Sequence, residues 1–239
     1  SINAAYPGAI TNKELVKKIN DTLKENDLDP SKMLLASSLC CDEVNRTLEA
    51  ELGKEFGHNF SMGGLAGFPF GGVTSFGAMA HHIPDDNSCF VIFAPHVGID
   101  ADGTVGLVNR RGRNMSGACC GSATAAAAYV SNNKNPPPPP TDPIDAQQTY
   151  VTSLLFPHKA RLAKAHKNMP TELPLALYDA QQQMIDSIIA KASQEVAGSG
   201  KIILLGGIQI NTPQDMDDYF LIRSFSILDN QKNTLLTVI

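Results

Sequence analysis

The sequence lacks the features that mark several common classes of protein. No apolar run approaches the roughly 18 residues that a membrane-spanning helix needs, so we expect no segment to cross a bilayer. Basic residues are not in excess, because the formal net charge is −5, and this argues against nucleic acid or an anionic membrane as a partner. There is no internal repeat. With 239 residues, 43% of them apolar, the chain can bury a sizeable core, and we expect a single α/β domain over residues 1–239.

Several motifs are absent as well, and their absence narrows the chemistry. The glycine-rich segment 61–77 has neither the GxxxxGK[ST] nor the GxGxxG spacing of phosphate-binding loops. The H-x-E and P-C-x-x-C spacings of nucleobase deaminases do not occur, and neither does the C-x-x-C that a thiol redox enzyme favours. Five cysteines are too few for a disulfide scaffold in a chain of this length. We therefore expect reduced thiols, at least some of them bound to a metal.

Four of the cysteines form two adjacent pairs, one on either side of a single histidine in the sequence. The pair Cys40-Cys41 closes an apolar run, His96 ends another, and Cys119-Cys120 precedes an alanine-rich stretch that is typical of a helix. Open α/β sheets collect their ligands at the ends of strands. Two thiolates and one imidazole at three such positions predict a zinc site with one open coordination position.

The hydrophobic pattern predicts an α/β fold with a central mixed, mainly parallel sheet flanked by helices. Lys32 to Cys40 is typical of a buried parallel strand, and Tyr219 to Leu228 alternates in the way of an edge or antiparallel strand. The remaining predictions are helices over 11–25, 43–56 and 123–130, and strands that end at His96, over 104–108 and over 201–210.

The region after residue 131 is predicted to contain a proline-rich surface loop and then long helices. Residues 132–141 include five consecutive prolines, which favour an extended spacer. Amphipathic helices are predicted over 144–166 and 173–197, with a break at Met169-Pro170. We expect this helical segment, 142–198, to form dimer contacts.

Four stretches together resemble a known family. They are the cysteine-aspartate-arginine stretch 40–46, the glycine-rich stretch 63–86, the histidine stretch 95–98 and the cysteine-glycine stretch 116–121. They look like the LCIB/LCIC family of limiting-CO2-inducible B-like proteins, with the related theta carbonic anhydrases of algae and diatoms and, more broadly, the β-type carbonic anhydrases. The resemblance covers about residues 30 to 230.

The resemblance implies a β-carbonic-anhydrase-like fold, a homodimer and one zinc ion per chain. Mapped onto this sequence, the zinc ligands are Cys40, His96 and Cys120, and Asp42 with Arg46 forms a dyad that gates the metal. The implied reaction is the reversible hydration of CO2 to bicarbonate by a zinc-bound hydroxide.

The arginine of the dyad departs from the β-type pattern. That pattern places arginine two residues after the aspartate, whereas here the interval to Arg46 is four. Arg46 must therefore reach back one helical turn. The alternatives for this role are Arg110, Arg111 and Arg113, which lead into the second cysteine pair.

Other assignments near the site also have alternatives. Adjacent residues of a strand point to opposite faces, so Cys41 and Cys119 are expected to be packing residues or to lie behind the ligands. His81 and His82 are either helix-capping residues or catalytic residues that line the pocket and relay a proton. The wall that holds CO2 is expected to come from three apolar side chains of the glycine-rich segment, Leu65, Phe68 and Phe70.

A second function remains open at this point: a non-catalytic zinc-binding member of the same family that pairs with a homologous subunit. The resemblance also implies a role in a CO2-concentrating mechanism and a chloroplast or plastid location. The first residues of the chain resemble neither a signal nor a transit peptide, so a trimmed or mature form is expected.

Overall fold

The chain is described by a computed structural model over residues 2–239, and an eight-stranded sheet lies at its centre. The strands are β1 (Ile10–Thr11), β2 (Leu34–Ser38), β3 (Asn59–Ser61), β4 (Cys89–Phe93), β5 (His96–Gly98), β6 (Leu107–Val108), β7 (Gly117–Ala118), β8 (Lys201–Asn211), β9 (Tyr219–Asp229) and β10 (Thr234–Thr237). Strands β6 and β7 form a separate antiparallel pair.

The main sheet has the order β1-β9-β8-β4-β2-β3, with β5 paired to β8 and β10 paired to β9. Strands β3, β2, β4 and β8 run parallel, and β5 is parallel to β8. Strand β9 is antiparallel to β8, and β1 and β10 are antiparallel to β9. The predicted mixed, mainly parallel sheet is confirmed, with its antiparallel part at one side.

Eight α-helices accompany the sheet in the described residues: α1 (Ile2–Ala5), α2 (Asn12–Glu25), α3 (Arg46–Phe56), α4 (Gly72–Ala80), α5 (Gly121–Asn132), α6 (Ala146–Leu155), α7 (Lys159–Ala165) and α8 (Met169–Ala192). The predicted start of α2 is confirmed by a capping box, in which Thr11 and Glu14 satisfy each other's backbone N–H groups. None of the helices in residues 2–239 is both long and apolar enough to cross a membrane.

Both faces of the parallel strands are buried. On one face Leu35, Phe90 and Ile203 pack with α2 and α3. On the other face Val91 and Leu204 pack with α4 and α8. Each such side chain contributes about 1.5–3 kcal/mol on burial, and two-sided burial explains why these strands are continuous apolar runs in the sequence.

A third apolar cluster lies beside the carboxyl ends of the strands. It is built from helices α5 to α8 and includes Phe68 together with Cys40 and Cys120. The candidate ligands are therefore seated in a packed layer of helices rather than on an open surface.

The predicted pair of long helices after the proline-rich loop is wrong in its boundaries. The loop predicted over 132–141 is longer in the structure, since residues 133–145 form no helix or strand and the first helix begins at Ala146 rather than at residue 144. That helix is divided by a 3-10 turn at Phe156–His158, which contains Pro157. The second helix begins at Met169, with Pro170 in its first turn. Proline suits this position because the N–H groups of a first turn have no partner within the helix, so the N–H that proline lacks is not missed. The role of this segment in a dimer stays a prediction.

Candidate metal centre

Three loops at the carboxyl ends of β2 and β4 and at the start of α5 converge on one point. Cys40 lies two residues beyond β2, and His96 follows β4 at the first position of β5, where it is paired with Gln209 of β8. Cys120 is the residue that caps the amino end of α5. The structure brings these three side chains together.

The three side chains form a compact donor set. Their ligand atoms lie within 4.8 Å of one another, and the two sulfur atoms, Cys40 Sγ and Cys120 Sγ, are 3.9 Å apart. Only 3%, 2% and 4% of Cys40, His96 and Cys120 are exposed. A buried group of two thiols and one imidazole can hold a metal ion.

The histidine offers one ring nitrogen to this centre. His96 Nδ1 is 2.8 Å from Asn211 Oδ1, whereas His96 Nε2 is buried and has no hydrogen-bond partner. Buried polar atoms are nearly always satisfied, and this unpartnered ring nitrogen belongs to a histidine that groups with two thiols, so the group could take a metal ion. A metal ion on Nε2 would satisfy it.

The two thiols differ in how they hold their protons. A hydrogen bond from Cys40 lowers the pKa of Cys120. The N–H groups of Ala123 and Ser122 at the start of α5 lower it as well, while burial acts in the opposite direction. The hydrogen bond to Cys120, together with burial, raises the pKa of Cys40 to about 12. Cys120 is therefore the more acidic thiol, and the helix end favours its thiolate.

Asp42 lies beside this centre and is held by an arginine. Asp42 Oδ2 accepts from Arg110 Nη2 at 2.7 Å, and Arg110 Nε donates to Glu43 at 3.0 Å. A carboxylate oxygen of Asp42 is within 4.8 Å of a ring nitrogen of His96 and of Cys119 Sγ. Burial raises the pKa of Asp42, but a hydrogen bond with Glu43 and the charges of His96 and Arg110 outweigh it, so the net shift is downward.

The prediction that Arg46 pairs with Asp42 is wrong. Asp42 caps a short 3-10 turn, Glu43–Asn45, and Arg46 begins the α-helix that follows, so the two are not neighbours on one continuous helix. The Arg46 guanidinium instead donates to the Cys40 carbonyl at 2.6 Å and pairs with Glu49 at 2.9 Å. Arg110, one of the predicted alternatives, takes the place beside the aspartate, whereas Arg111 and Arg113 are exposed.

The prediction that His81 and His82 line the pocket is also wrong. Both are exposed at the end of α4, in the segment that leads into the amino end of β4. His81 Nε2 is 3.4 Å from Glu195, and the ring of His82 packs edge-on against Phe60. The length of β4 separates them from His96, because a strand places its two ends on opposite edges of the sheet.

The second cysteines of the two pairs differ from each other. Cys41 is exposed. Cys119 is buried on the Nδ1 side of His96, with its Sγ 3.4 Å from that nitrogen and 3.7 Å from Asn211 Oδ1. Cys119 therefore lies behind the histidine, as predicted.

An apolar cavity of about 220 Å³ borders the centre. His96, Cys119 and Cys120 form one side, and the far side is formed by five residues of α8, namely Met169, Pro170, Leu173, Pro174 and Leu177. Leu65, Phe68 and Phe70, the predicted wall residues, do not line this cavity, which lies between α5 and α8. Phe68 is fully buried in the cluster behind Cys40, and Phe70 stacks on Phe68.

Asn211, which contacts His96 directly, was not predicted from the sequence. A signal was present, since Asn211 follows the apolar run of β8 in the same way that His96 follows β4. Amide side chains are common at strand ends, and the run alone did not distinguish this one from a turn residue.

Comparison with known proteins agrees with this geometry. The family model of limiting CO2-inducible proteins B/C, beta carbonic anhydrases, matches residues 9–229. The crystal structure of PtLCIB4, a homolog of the limiting CO2-inducible protein LCIB, is 47% identical and superposes with a TM-score of 0.94 over 100% of this chain and 98% of that chain. The crystal structure of LCIB itself is 17% identical, with a TM-score of 0.74 over 99% and 96% of the two chains, and shows the same fold. No curated protein sequence matches the chain.

The family match covers most of the chain, and the solved homolog is similar over its whole length. The resemblance inferred from the four sequence stretches is thus confirmed. The chain belongs to the family of limiting CO2-inducible proteins B and C, the LCIB-type β-carbonic anhydrases.

Proposed function

We propose that the protein is a zinc-dependent carbonic anhydrase that hydrates CO2 reversibly to bicarbonate. The observation that carries this proposal is the buried set of two thiols and one unpartnered imidazole nitrogen, beside an aspartate that an arginine holds. Membership of a family described as beta carbonic anhydrases supports the reaction class.

The donor set fits zinc in both chemistry and spacing. Two thiolates about 2.3 Å from a tetrahedral zinc ion are about 3.8 Å apart. Cys40 Sγ and Cys120 Sγ are 3.9 Å apart, and His96 Nε2 supplies the third donor. When bound, zinc supplies the Lewis acidity that brings the pKa of a bound water towards about 7.

Asp42 and Arg110 control what reaches the open position. A carboxylate so close to the ligands would otherwise become a fourth ligand itself. Arg110 occupies Asp42 Oδ2 at 2.7 Å and so holds the carboxylate. The pKa of Asp42 is lowered, so the group is an acceptor at neutral pH and can orient the attacking water by taking a hydrogen bond from it.

The cavity between α5 and α8 suits CO2. Apolar side chains line most of it, including Val97, Leu107, Ala123 and Leu177. A small linear molecule without net charge needs few polar contacts, and a volume of about 220 Å³ admits it with room to spare. Such a lining offers few hydrogen bonds to water, so water competes only weakly with CO2 for the cavity.

Three further expectations rest on the family rather than on this chain's contacts. They are a homodimer, with a homologous subunit as the alternative partner; a chloroplast or plastid location; and a role in a CO2-concentrating mechanism. The non-catalytic alternative is less well supported, because Asp42 is held by Arg110.

The direct test is CO2 hydration, followed by stopped-flow pH change, on protein of known zinc content. Protein loaded with zinc is expected to hydrate CO2, chelated protein is expected to lose the activity, and added zinc is expected to restore it. The variant Cys120→Ser serves as the inactive control. Stoichiometric zinc without hydration would overturn the catalytic proposal in favour of the non-catalytic alternative.

A further inference from the structure

The amide of Asn211 is almost completely buried, with 1% of the residue exposed, and all of its hydrogen-bonding positions are used. Its Nδ2 donates to the Val44 carbonyl at 3.3 Å and to Asp218 Oδ2 at 3.4 Å. Its Oδ1 is 2.8 Å from His96 Nδ1 and 3.7 Å from Cys119 Sγ. An amide has two donor hydrogens and two acceptor lone pairs, so none is left over.

This set of contacts fixes the orientation of the amide. A backbone carbonyl can only accept, which means that Nδ2 must face Val44, and the same Nδ2 also donates to Asp218 Oδ2. The Asn211 oxygen therefore faces His96, and His96 Nδ1 must carry its proton to make that bond. A neutral imidazole with a proton on Nδ1 has its lone pair on Nε2, the buried atom without a partner.

We propose that Asn211, held by Asp218, is a positioning residue that sets the tautomer and ring orientation of His96 so that Nε2 is ready to bind the metal. Asp218 is fixed in turn, because its Oδ1 accepts from the Thr212 N–H at 2.8 Å and from the Thr212 hydroxyl at 3.2 Å. The chain of contacts from Thr212 to His96 is thus a single ordered series of donors and acceptors.

The same amide links the histidine to the turn that carries Asp42. Val44 is the middle residue of the 3-10 turn Glu43–Asn45, which Asp42 caps. By binding both Val44 and His96, Asn211 fixes the distance between the metal ligand and the gating carboxylate. The inference rests on metal binding by the site proposed above, but it does not depend on CO2 hydration.

The first measurement is the zinc dissociation constant, obtained by competition with a chromophoric chelator. Asn211→Leu removes the acceptor for His96, and we expect affinity to fall about 10- to 100-fold, the usual cost of losing such a partner. Asn12→Leu is the matched control, since Asn12 is also a buried asparagine, 3% exposed, but its side chain contacts Gln209 rather than His96. It is expected to bind zinc like the wild type.

A second variant separates positioning from mere packing. The double substitution Asn211→Asp with Asp218→Asn exchanges the two groups, so that position 211 still accepts from His96 and position 218 can donate to it. Because a carboxylate oxygen then faces the Val44 carbonyl, we expect this double variant to recover only part of the zinc affinity lost in Asn211→Leu. A folded double variant that keeps the Nδ1–H tautomer of His96 but recovers no zinc affinity would contradict the positioning role.

Nuclear magnetic resonance can measure the tautomer of His96, which would not depend on Asn211 if that residue only filled space. Long-range ¹H–¹⁵N correlation of the full-length protein before zinc is added reports which ring nitrogen of His96 carries the proton. The proposal predicts the Nδ1–H tautomer in the wild type and in the double variant. An Nε2–H tautomer in the wild type, or wild-type zinc affinity in a folded Asn211→Leu variant, would overturn it, whereas absent hydration with the predicted tautomer and affinity would overturn only the proposed function.

Discussion

Strand β4 is only five residues long, but its two ends have opposite surroundings. At the carboxyl end His96 is 2% exposed, its Nδ1 is held by Asn211, and it groups with the thiols of Cys40 and Cys120. At the amino end the preceding segment carries His81 and His82, both exposed, and His81 has only a surface contact with Glu195. Histidine is thus a buried candidate metal ligand of fixed orientation at one edge of the sheet and a solvated surface residue at the other.

Strand direction explains the difference. In a run of parallel strands all carboxyl ends lie along one edge, so the carboxyl ends of β2, β4 and β8 meet there. Cys40 follows β2, His96 follows β4, and Asn211 is the last residue of β8. The amino edge receives the chain from the preceding helices and lies outside this convergence.

The largest expected effect compares histidines at the two edges. His96→Ala removes one of three protein ligands, and we expect zinc affinity to fall at least about 100-fold, because the ligands of a zinc site share a binding free energy of about 10–16 kcal/mol. His82→Ala is expected to leave zinc binding unchanged. Zinc per chain after dialysis, measured by atomic emission, checks both, and loss of zinc in His82→Ala would break the distinction between the edges.

The next effect compares two neighbouring arginines at the carboxyl edge. Arg110→Gln frees Asp42 to approach the metal, and we expect CO2 hydration to fall about 10- to 100-fold with zinc retained. Arg111→Gln changes an exposed arginine of the same loop and is expected to keep wild-type activity. Equal losses in the two variants, measured by stopped flow, would contradict the assignment of Arg110.

A cysteine at the amino end of β4 gives a smaller, structural effect. Cys89 is fully buried in the apolar core, so Cys89→Ala is expected to cost about 1–2 kcal/mol of unfolding free energy without changing zinc binding. Urea unfolding and metal analysis of the same samples measure both. Loss of zinc in this variant would be inconsistent with a packing role for Cys89.

The buried thiol of Cys89 is also expected to make the free energy of unfolding depend on pH. Burial raises its pKa to about 12, whereas the thiol of an unfolded chain ionises near about 8.5. Between these values the unfolded chain binds fewer protons than the folded one, so stability falls as pH rises, by up to about 1.4 kcal/mol per pH unit. Cys89→Ala is expected to remove this part of the slope, and an unchanged slope in urea unfolding from pH 8.5 to 10 would contradict the assignment.

The smallest expected effect tests the ion pair at the amino edge. His81 and Glu195 are largely exposed, with 73% and 44% of their side chains accessible, and such pairs contribute no more than about 1 kcal/mol. Glu195→Gln is therefore expected to shift the urea midpoint very little and to leave hydration unchanged. A clear loss of activity would mean that the amino edge takes part in function after all.

The positions of the candidate metal ligands were predictable from the ends of strands and the start of a helix, whereas the choice of Cys40 and Cys120 within each cysteine pair came from the family resemblance. Cys40, His96 and Cys120 each adjoin an apolar run or a helix start, and parallel strands bring such positions together. The mixed sheet followed from the same runs. These features depend on local pattern, which a single sequence contains.

The partners of the ligands were not predictable in the same way. Whether Arg46 or Arg110 reaches Asp42 depends on the 3-10 turn that changes the helical phase at residues 43–45. The role of Asn211 depends on tertiary contacts with Val44 and Asp218. The four-residue interval between Asp42 and Arg46 in the sequence reveals neither the contact of Asp42 with Arg110 nor the contacts of Asn211.

Zinc K-edge X-ray absorption of the loaded protein would show whether Cys40, His96 and Cys120 together bind the metal. We expect two sulfur neighbours at about 2.3 Å and two nitrogen or oxygen neighbours at about 2.0–2.1 Å. Three sulfur neighbours would mean that Cys119 or Cys41 also binds the metal, and fewer than two would exclude the Cys40–Cys120 pair, so either result would rule out this three-ligand centre.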